Sequence, residues 1–194
     1  MSAEADQGWP RGVRRLIHSA LAAVLFAGCA SIGTPGERGV RAITLREQLL
    51  QLGPDVDRNE ASRLADSAVE QAAELAHDYH PAQPAWFNNI LVNFGLRDRG
   101  LCFHWTNDLF KRLHRLELRS LELHLAVSRR GESAEHNAVV VTARGQPFHE
   151  GVVLDAWRNG GRLWWSRVAD DPKHPWRPLP SDAVPKELRP LLSQ

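Results

Sequence analysis

The length, composition and charge of this sequence fit a single soluble globular domain. With 194 residues, the chain is long enough to bury a substantial core but too short for two large domains. Hydrophobic residues make up 43% of the chain and charged residues 24%, a balance that excludes a disordered polypeptide. The 24 Lys and Arg residues nearly match the 23 Asp and Glu residues, so no strong net charge indicates a polyanionic partner.

The N-terminal segment, residues 1–28, has the pattern of a signal peptide. Arg11, Arg14 and Arg15 supply a basic region, and an apolar run follows over residues 16–27. A run of this length is too short to cross a bilayer as a permanent helix. Removing the segment takes three basic and two acidic residues from the totals of 24 and 23, which leaves 21 of each. Such a neutral chain without a basic block has no electrostatic basis for nucleic-acid binding, so we exclude that class.

The apolar run ends in Leu25-Phe26-Ala27-Gly28-Cys29. This ending resembles the lipobox of bacterial lipoproteins, in which the cysteine is lipidated and becomes the first residue of the mature protein. The resemblance implies a lipid on Cys29 and, because Ala30 follows it, an anchor on the periplasmic face of the outer membrane. An ordinary secretory signal or an uncleaved anchor are the alternatives. If Cys29 carries lipid, Cys102 is the remaining free thiol and has no disulfide partner in the chain.

The next part of the chain is predicted to be a tether followed by helices. Glycines and a proline within residues 29–42 predict a flexible tether, and we expect the domain to span residues 43–194. Apolar residues then recur at three- and four-residue steps, which is the period of helices that bury one face. Four helices are predicted, over residues 45–52, 58–79, 85–94 and 102–116.

The second half of the domain changes to the alternating pattern of strands. We predict strands over residues 121–128, 137–142, 152–157 and 163–165, with a hairpin turn at Asn159-Gly160-Gly161, and a closing helix over residues 186–192. Helices followed by an antiparallel sheet predict an α+β fold.

Three residues of this pattern are candidates for a catalytic triad. Cys102 lies in the first turn of the fourth helix, where the helix dipole and a nearby imidazolium favour the thiolate. His136 begins one strand and Asp155 ends the next, so an antiparallel pairing makes them neighbours. An acid after Val152-Val153-Leu154 should be buried and needs a partner. That partner is His136 or, alternatively, Arg158, Arg162 or a backbone turn.

The sequence Gly100-Leu101-Cys102-Phe103-His104-Trp105, followed by His136 and Asp155, resembles the transglutaminase-like branch of the papain-like superfamily. That branch includes the bacterial transglutaminase-like cysteine proteases, and the resemblance covers roughly residues 86–165. It implies a papain-like core with the nucleophile at a helix N-terminus. It also implies Cys102 as nucleophile, His136 as general base and acid, and Asp155 as the group that orients His136.

The same resemblance assigns supporting roles. It implies Trp105 as a packing residue behind the nucleophile and an upstream side chain as oxyanion donor, for which Asn93 and Asn89 are candidates. Trp157 is a candidate for the core or for the wall of a substrate groove. Acidic residues follow the cysteine in periplasmic members, whereas Phe103 and His104 follow it here, so we predict neither a calcium site nor any other metal or cofactor.

The expected function is hydrolysis of an amide bond in a peptide, a protein or an envelope polymer. Transfer of the acyl group to an amine, which would crosslink the substrate, is less favoured. Cys102 and His136 each have a non-catalytic alternative. Cys102 could be an inert thiol in the core, and His136 could be a surface histidine or one whose hydrogen bonds are purely structural. His104 is a competing base, but two residues along a helix it points away from Cys102. A binding or assembly lipoprotein of the same fold is the second functional hypothesis. Metal binding by Cys102, His104 and His136 is the third and least favoured.

Overall fold

The computed structural model describes residues 32–82 and 84–192. The predicted signal peptide over residues 1–28 and the predicted lipidation site Cys29 lie outside the described residues. No helix within the described ranges is both long enough and apolar enough to span a bilayer.

The α+β prediction is confirmed, since helices in the first half of the described chain precede one antiparallel sheet. The helices are α1 (Pro35–Leu50), α2 (Arg58–Tyr79), α3 (Ala85–Asn93) and α4 (Cys102–His114). The strands are β1 (Leu121–Ser128), β2 (His136–Ala143), β3 (Val152–Asp155), β4 (Trp164–Arg167) and β5 (Arg177–Pro178), in the spatial order β4-β3-β2-β1-β5. Single 3-10 turns connect and follow the later strands, at Phe148–Glu150, Val168–Asp170, Ser181–Ala183 and Arg189–Leu191.

Helix α1 corrects the predicted tether. It begins at Pro35, so residues 35–42 are helical and the ordered domain starts before residue 43. Thr34 caps the helix, since its hydroxyl accepts the Glu37 N–H while the Glu37 carboxylate accepts the Thr34 N–H. Two of the glycines that suggested a tether, Gly36 and Gly39, lie on the exposed side of α1, whereas Leu45 and Leu49 on the other side are fully buried.

The sheet is covered on both faces, which explains the unbroken apolar run of β2. Helices α1, α2 and α4 pack on the first face, where the core includes Leu125, Val139 and Leu154. Ala138, Val140, Val153 and Trp176 form a smaller cluster on the second face. The second half of β1 is therefore buried throughout and does not show the predicted single buried face.

The C-terminal region differs from the prediction. The closing helix over residues 186–192 is absent, and only the 3-10 turn Arg189–Leu191 forms there. Pro190 explains the difference, because it has no N–H to donate and hinders continuation of an α-helix. The sequence did not predict strand β5, which pairs with Ala126 and Val127 of β1.

We predict that Gly161 is required for the packing of the β3–β4 turn on α2. Its φ is +98°, and a β-carbon there would lie 2.2 Å from the Ala76 β-carbon and 2.8 Å from the Ala72 carbonyl oxygen. Gly161→Ala should lower the free energy of unfolding by about 3 kcal/mol, measured by urea denaturation. Gly145→Ala is the control, since Gly145 has φ +74° but no neighbour within 4 Å, and should cost about 1 kcal/mol. Equal losses in the two variants would contradict the packing role.

Candidate active site

Cys102 is the first residue of α4 and is held there by the preceding loop. The Gly100 carbonyl accepts hydrogen bonds from Asn88 Nδ2 and from Trp105 Nε1, both at 3.1 Å. Gly100 has φ +120°, and a β-carbon there would lie 2.4 Å from Asn88 Nδ2, so only glycine fits. Trp105 is fully buried beneath this loop, as a packing residue behind the cysteine would be. Cys102 as a whole residue remains partly exposed.

His104 is bonded to the same loop. Its Nδ1 accepts the backbone N–H groups of Gly100 at 3.2 Å and of Leu101 at 3.3 Å. Burial and, secondly, the charge of Arg99 lower the pKa of His104, which keeps the ring neutral and able to accept these bonds. His104 therefore accepts the backbone N–H groups just before α4, and it is not placed as a base for Cys102.

His136 and Asp155 are in direct contact, as the antiparallel register predicted. His136 Nε2 lies 2.6 Å from Asp155 Oδ2, and both side chains are almost completely buried. Alternation along the strands explains the contact, because His136 shares a face of β2 with Ala138, while Asp155 shares the same sheet face with Val153. These two residues come from the two central strands at one end of the sheet.

The Asp155 carboxylate has several partners at once. Oδ1 accepts the backbone N–H groups of Trp157 at 3.1 Å and Arg158 at 3.0 Å, and Oδ2 accepts Arg158 Nε at 3.0 Å in addition to His136. Two of the alternative partners from the sequence, Arg158 and a backbone turn, are thus present together with His136. Burial alone would raise the pKa of Asp155, but His136 and Arg158 outweigh burial and lower it.

The second nitrogen of His136 is available to the thiol. Nδ1 is buried and has no hydrogen bond of normal geometry within the described part of the chain. The thiol and the ring are nevertheless close enough to affect each other's ionisation. Burial alone would lower the pKa of His136, but Asp155, followed by Cys102, raises it to about 9. Burial alone would raise the pKa of Cys102, but His136 and then Asn137 lower it.

Asn137 is a site residue that the sequence did not reveal. Alternation along β2 directs it toward the helical face of the sheet, where Nδ2 lies 3.8 Å from Cys102 Sγ. Its backbone and side chain both help to lower the pKa of Cys102. Because Asn137 directly follows His136, a single strand presents one residue to the Asp155 carboxylate and the next to the Cys102 sulfur. Its position next to His136 in the sequence was the signal that could have identified it as a site residue.

A second layer of polar groups supports Asp155 and was also missed. An Arg158 guanidinium nitrogen donates to Asp171 Oδ2 at 2.8 Å, and Trp176 Nε1 donates to the same oxygen at 3.0 Å. His174 Nδ1 lies 3.2 Å from the other Asp171 oxygen, and its ring centroid is 5.3 Å from that of His136. These residues lie in an irregular, proline-containing loop, where periodicity predicts nothing. An Asp, a His and a Trp within six residues were the detectable signal.

The two predicted oxyanion donors are placed differently. Asn89 Oδ1 accepts Trp157 Nε1 at 3.3 Å, and the Trp157 ring lies 4.8 Å from the His136 ring, so Asn89 borders the site through Trp157. Asn93 is exposed at the end of α3. The buried asparagine of that helix is instead Asn88, whose amide holds the Gly100 loop and the Ala82 N–H.

A cavity of about 570 Å³ lies away from the site, between the end of α4 and the start of β1, and is lined by residues such as Phe110 and Leu123.

Within residues 32–82 and 84–192, no group of three His, Cys, Asp or Glu residues is arranged to hold a metal ion. Comparisons of the chain with protein-family models, with curated proteins and with solved structures find no match.

We predict a pH dependence of stability that depends on His136. Its pKa rises from 6.5 in the unfolded chain to about 9 in the folded protein, so its contribution is complete below pH 6.5 and is lost as the pH rises toward 9. The comparison is made in Cys102→Ser protein, where no thiol ionises beside His136 and Asp155 still raises the pKa of His136. There, the free energy of unfolding should fall by up to about 1 kcal/mol per pH unit across this window. Urea denaturation of Cys102→Ser and Cys102→Ser/His136→Gln measures it, and parallel curves would contradict the prediction.

Proposed function

We propose that the chain is a transglutaminase-like thiol enzyme that hydrolyses an amide bond through Cys102, His136 and Asp155. The observation that carries the proposal is the position of His136, whose Nε2 is bonded to a buried carboxylate at 2.6 Å while its other nitrogen is left for the thiol. The lowered pKa of Cys102 and the raised pKa of His136 favour a thiolate–imidazolium pair near neutral pH. The papain-like core is part of this proposal, supported by the α+β architecture and by a nucleophile at a helix N-terminus.

In the first step, the Cys102 thiolate forms a bond to the carbonyl carbon of the substrate amide, and the carbonyl oxygen takes up the negative charge. The C–N bond then breaks, and the proton on His136 Nδ1 passes to the leaving amine. Asp155 holds the ring in position and stabilises the imidazolium before this transfer. The backbone N–H of Cys102 at the start of α4, together with Asn137 Nδ2, is the proposed donor set for the oxyanion.

In the second step, water resolves the thioester. His136 takes a proton from the water molecule, the water oxygen bonds to the acyl carbon, and the C–S bond breaks. The products are a carboxylic acid and the regenerated thiolate–imidazolium pair, so each proton and electron pair is accounted for. An amine in place of water would give crosslinking, but water is the more abundant acceptor.

The proposed setting is the cell envelope. A lipid on Cys29 would anchor the domain to the periplasmic face of the outer membrane, and the substrate would be a peptide, a protein or an envelope polymer. The alternative of a non-catalytic binding lipoprotein would be favoured by a Cys102 sealed from solvent or by His136 and Asp155 lying far from Cys102. Cys102 is partly exposed and is electrostatically coupled to His136, which supports the catalytic proposal over that alternative.

The test is the pH dependence of alkylation of Cys102 by iodoacetamide, measured on the peptide containing Cys102 by mass spectrometry. The wild-type rate should reach half its maximum below pH 8.5, the ordinary value for a thiol, because His136 stabilises the thiolate. His136→Ala should move that midpoint upward by at least about one pH unit.

His124→Ala is the matched control for this experiment. Like His136, His124 lies on a strand, but it is only partly buried, bonds Thr142 Oγ1 at 2.9 Å and does not contact the site. Its variant should keep the wild-type midpoint. A wild-type midpoint at the ordinary thiol value that His136→Ala leaves unchanged would refute the proposed mechanism.

A further inference from the structure

One end of the molecule carries an unusually exposed apolar surface, which we call the apolar patch and which consists of Trp86, Phe87, Ile90, Phe94, Leu96 and Phe103. Phe94 is 79% exposed, Leu96 72% and Trp86 61%. Five of the six patch residues belong to α3 and the turn that follows it, and Asn88 is the buried residue of that helix. No charged residue occurs between Pro81 and Leu96. Contiguous apolar surface of this kind marks a contact with a partner or a membrane.

The apolar patch borders the candidate active site. Phe103 directly follows Cys102, and Asn89 on α3 bonds the Trp157 indole that packs against His136. The patch and the thiol are also joined by Asn88, whose Nδ2 donates to the Gly100 carbonyl. Whatever covers the patch therefore lies beside the entrance to Cys102.

The described chain begins at this same end. Helices α1 and α2 are antiparallel, since seven residues connect them and the Arg38 guanidinium binds Glu70 at 2.9 Å. The start of α1 therefore lies beside the end of α2. That end of α2 contacts the active-site helix, because Tyr79 donates to Asp108 Oδ2 and its ring packs edge-on against Trp105.

The distance between the domain and a lipid on Cys29 is short. Ile32 packs against the core, and the Gly33 carbonyl accepts a hydrogen bond from Arg38 at 2.8 Å. Only residues 30 and 31 separate Cys29 from this held part of the chain in the sequence, and three residues of fully extended chain span at most about 10 Å. A lipid at that position would bring this end of the domain to the bilayer surface.

We propose that the apolar patch docks into the surface of a lipid bilayer and holds the entrance to Cys102 against the membrane; the inference rests on the proposed lipid anchor. Trp, Phe, Ile and Leu side chains are those that insert at the headgroup and acyl boundary. The uncharged α3 segment enters that boundary without burying a charge. The substrate amide is then one that lies close to the membrane surface.

The first experiment uses the chain from residue 29 onward, without the predicted signal peptide and with Cys29→Ser so that no lipid is attached, together with vesicles of phosphatidylethanolamine and phosphatidylglycerol. Phe94→Gln/Leu96→Gln removes the two most exposed patch side chains and should weaken vesicle partitioning at least tenfold. Val40→Gln/Ile43→Gln is the control, since these α1 side chains are 65% and 54% exposed and lie outside the patch. The control should partition like the parent protein, and equal partitioning of the two double variants would overturn the proposal.

The second experiment does not use the polar substitutions in the patch, so a loss of protein stability in those variants cannot affect its result. Vesicles of the same composition with brominated acyl chains quench tryptophans that enter the bilayer, so the parent protein should lose more emission than Trp86→Phe. Equal quenching would overturn the proposal. A dimer in sedimentation velocity that Phe94→Gln/Leu96→Gln abolishes, together with absent quenching, would assign the patch to a second copy of the chain. Absent quenching in a monomer would refute membrane docking without supporting a second copy.

The proposed chemistry is measured separately in the same variants. Iodoacetamide labelling of Cys102 without vesicles should be unchanged in both double variants, because neither alters His136, Asn137 or Asp155. A failure of the thiolate test with intact vesicle partitioning would refute the catalytic proposal alone. If the two double variants partition equally while the pH dependence of Cys102 alkylation is as expected, the docking surface alone would be refuted.

Discussion

The structure depends on one buried carboxylate. Asp155 is 2% exposed, and an unpaired carboxylate at that depth would be strongly unfavourable. Four donors satisfy it: His136, the Arg158 side chain and the backbone N–H groups of Trp157 and Arg158. Three of these four donors have a second consequence, because the two backbone bonds fix the turn after β3 and the bond from His136 fixes the imidazole. Burial of this acid therefore organises the whole end of the sheet.

The same carboxylate connects the fold to the chemistry of the thiol. Asp155 is the strongest influence that raises the pKa of His136, and His136 is the strongest influence that lowers the pKa of Cys102. The chain of effects runs from a buried acid on β3, through a histidine on β2, to the first residue of α4. Arg158 extends it outward to Asp171, and stacking of Arg158 on Trp164 at 3.6 Å fixes its guanidinium. The thiolate is favoured by an arrangement of charges that spans three elements of the fold.

The register of β2 makes this arrangement specific. Alternation directs Asn137 to the helical face, toward Cys102, and His136 to the opposite face, toward Asp155. A shift of one residue in the pairing of β2 would exchange these two side chains and separate the imidazole from the carboxylate. The pairs Val139–Leu154 and Val141–Val152 on the helical face set that register through apolar packing. Core packing in the middle of the sheet thus determines the geometry at its end.

Local pattern determined much of what lies close in sequence. Periodicity, together with capping and proline signals, predicted the bounds of α2 and β1 and the position of Cys102 at a helix start. Antiparallel pairing of adjacent strands predicted the contact between His136 and Asp155. Periodicity failed where capping or a proline competes with composition, as at Thr34 and Pro190. Asp171, His174 and Trp176 approach Asp155 and His136 only through an irregular loop with no period, so only the tertiary structure placed them at the site. Exposure of the α3 side chains was likewise decided by packing, because an apolar segment of that length is equally compatible with a buried helix.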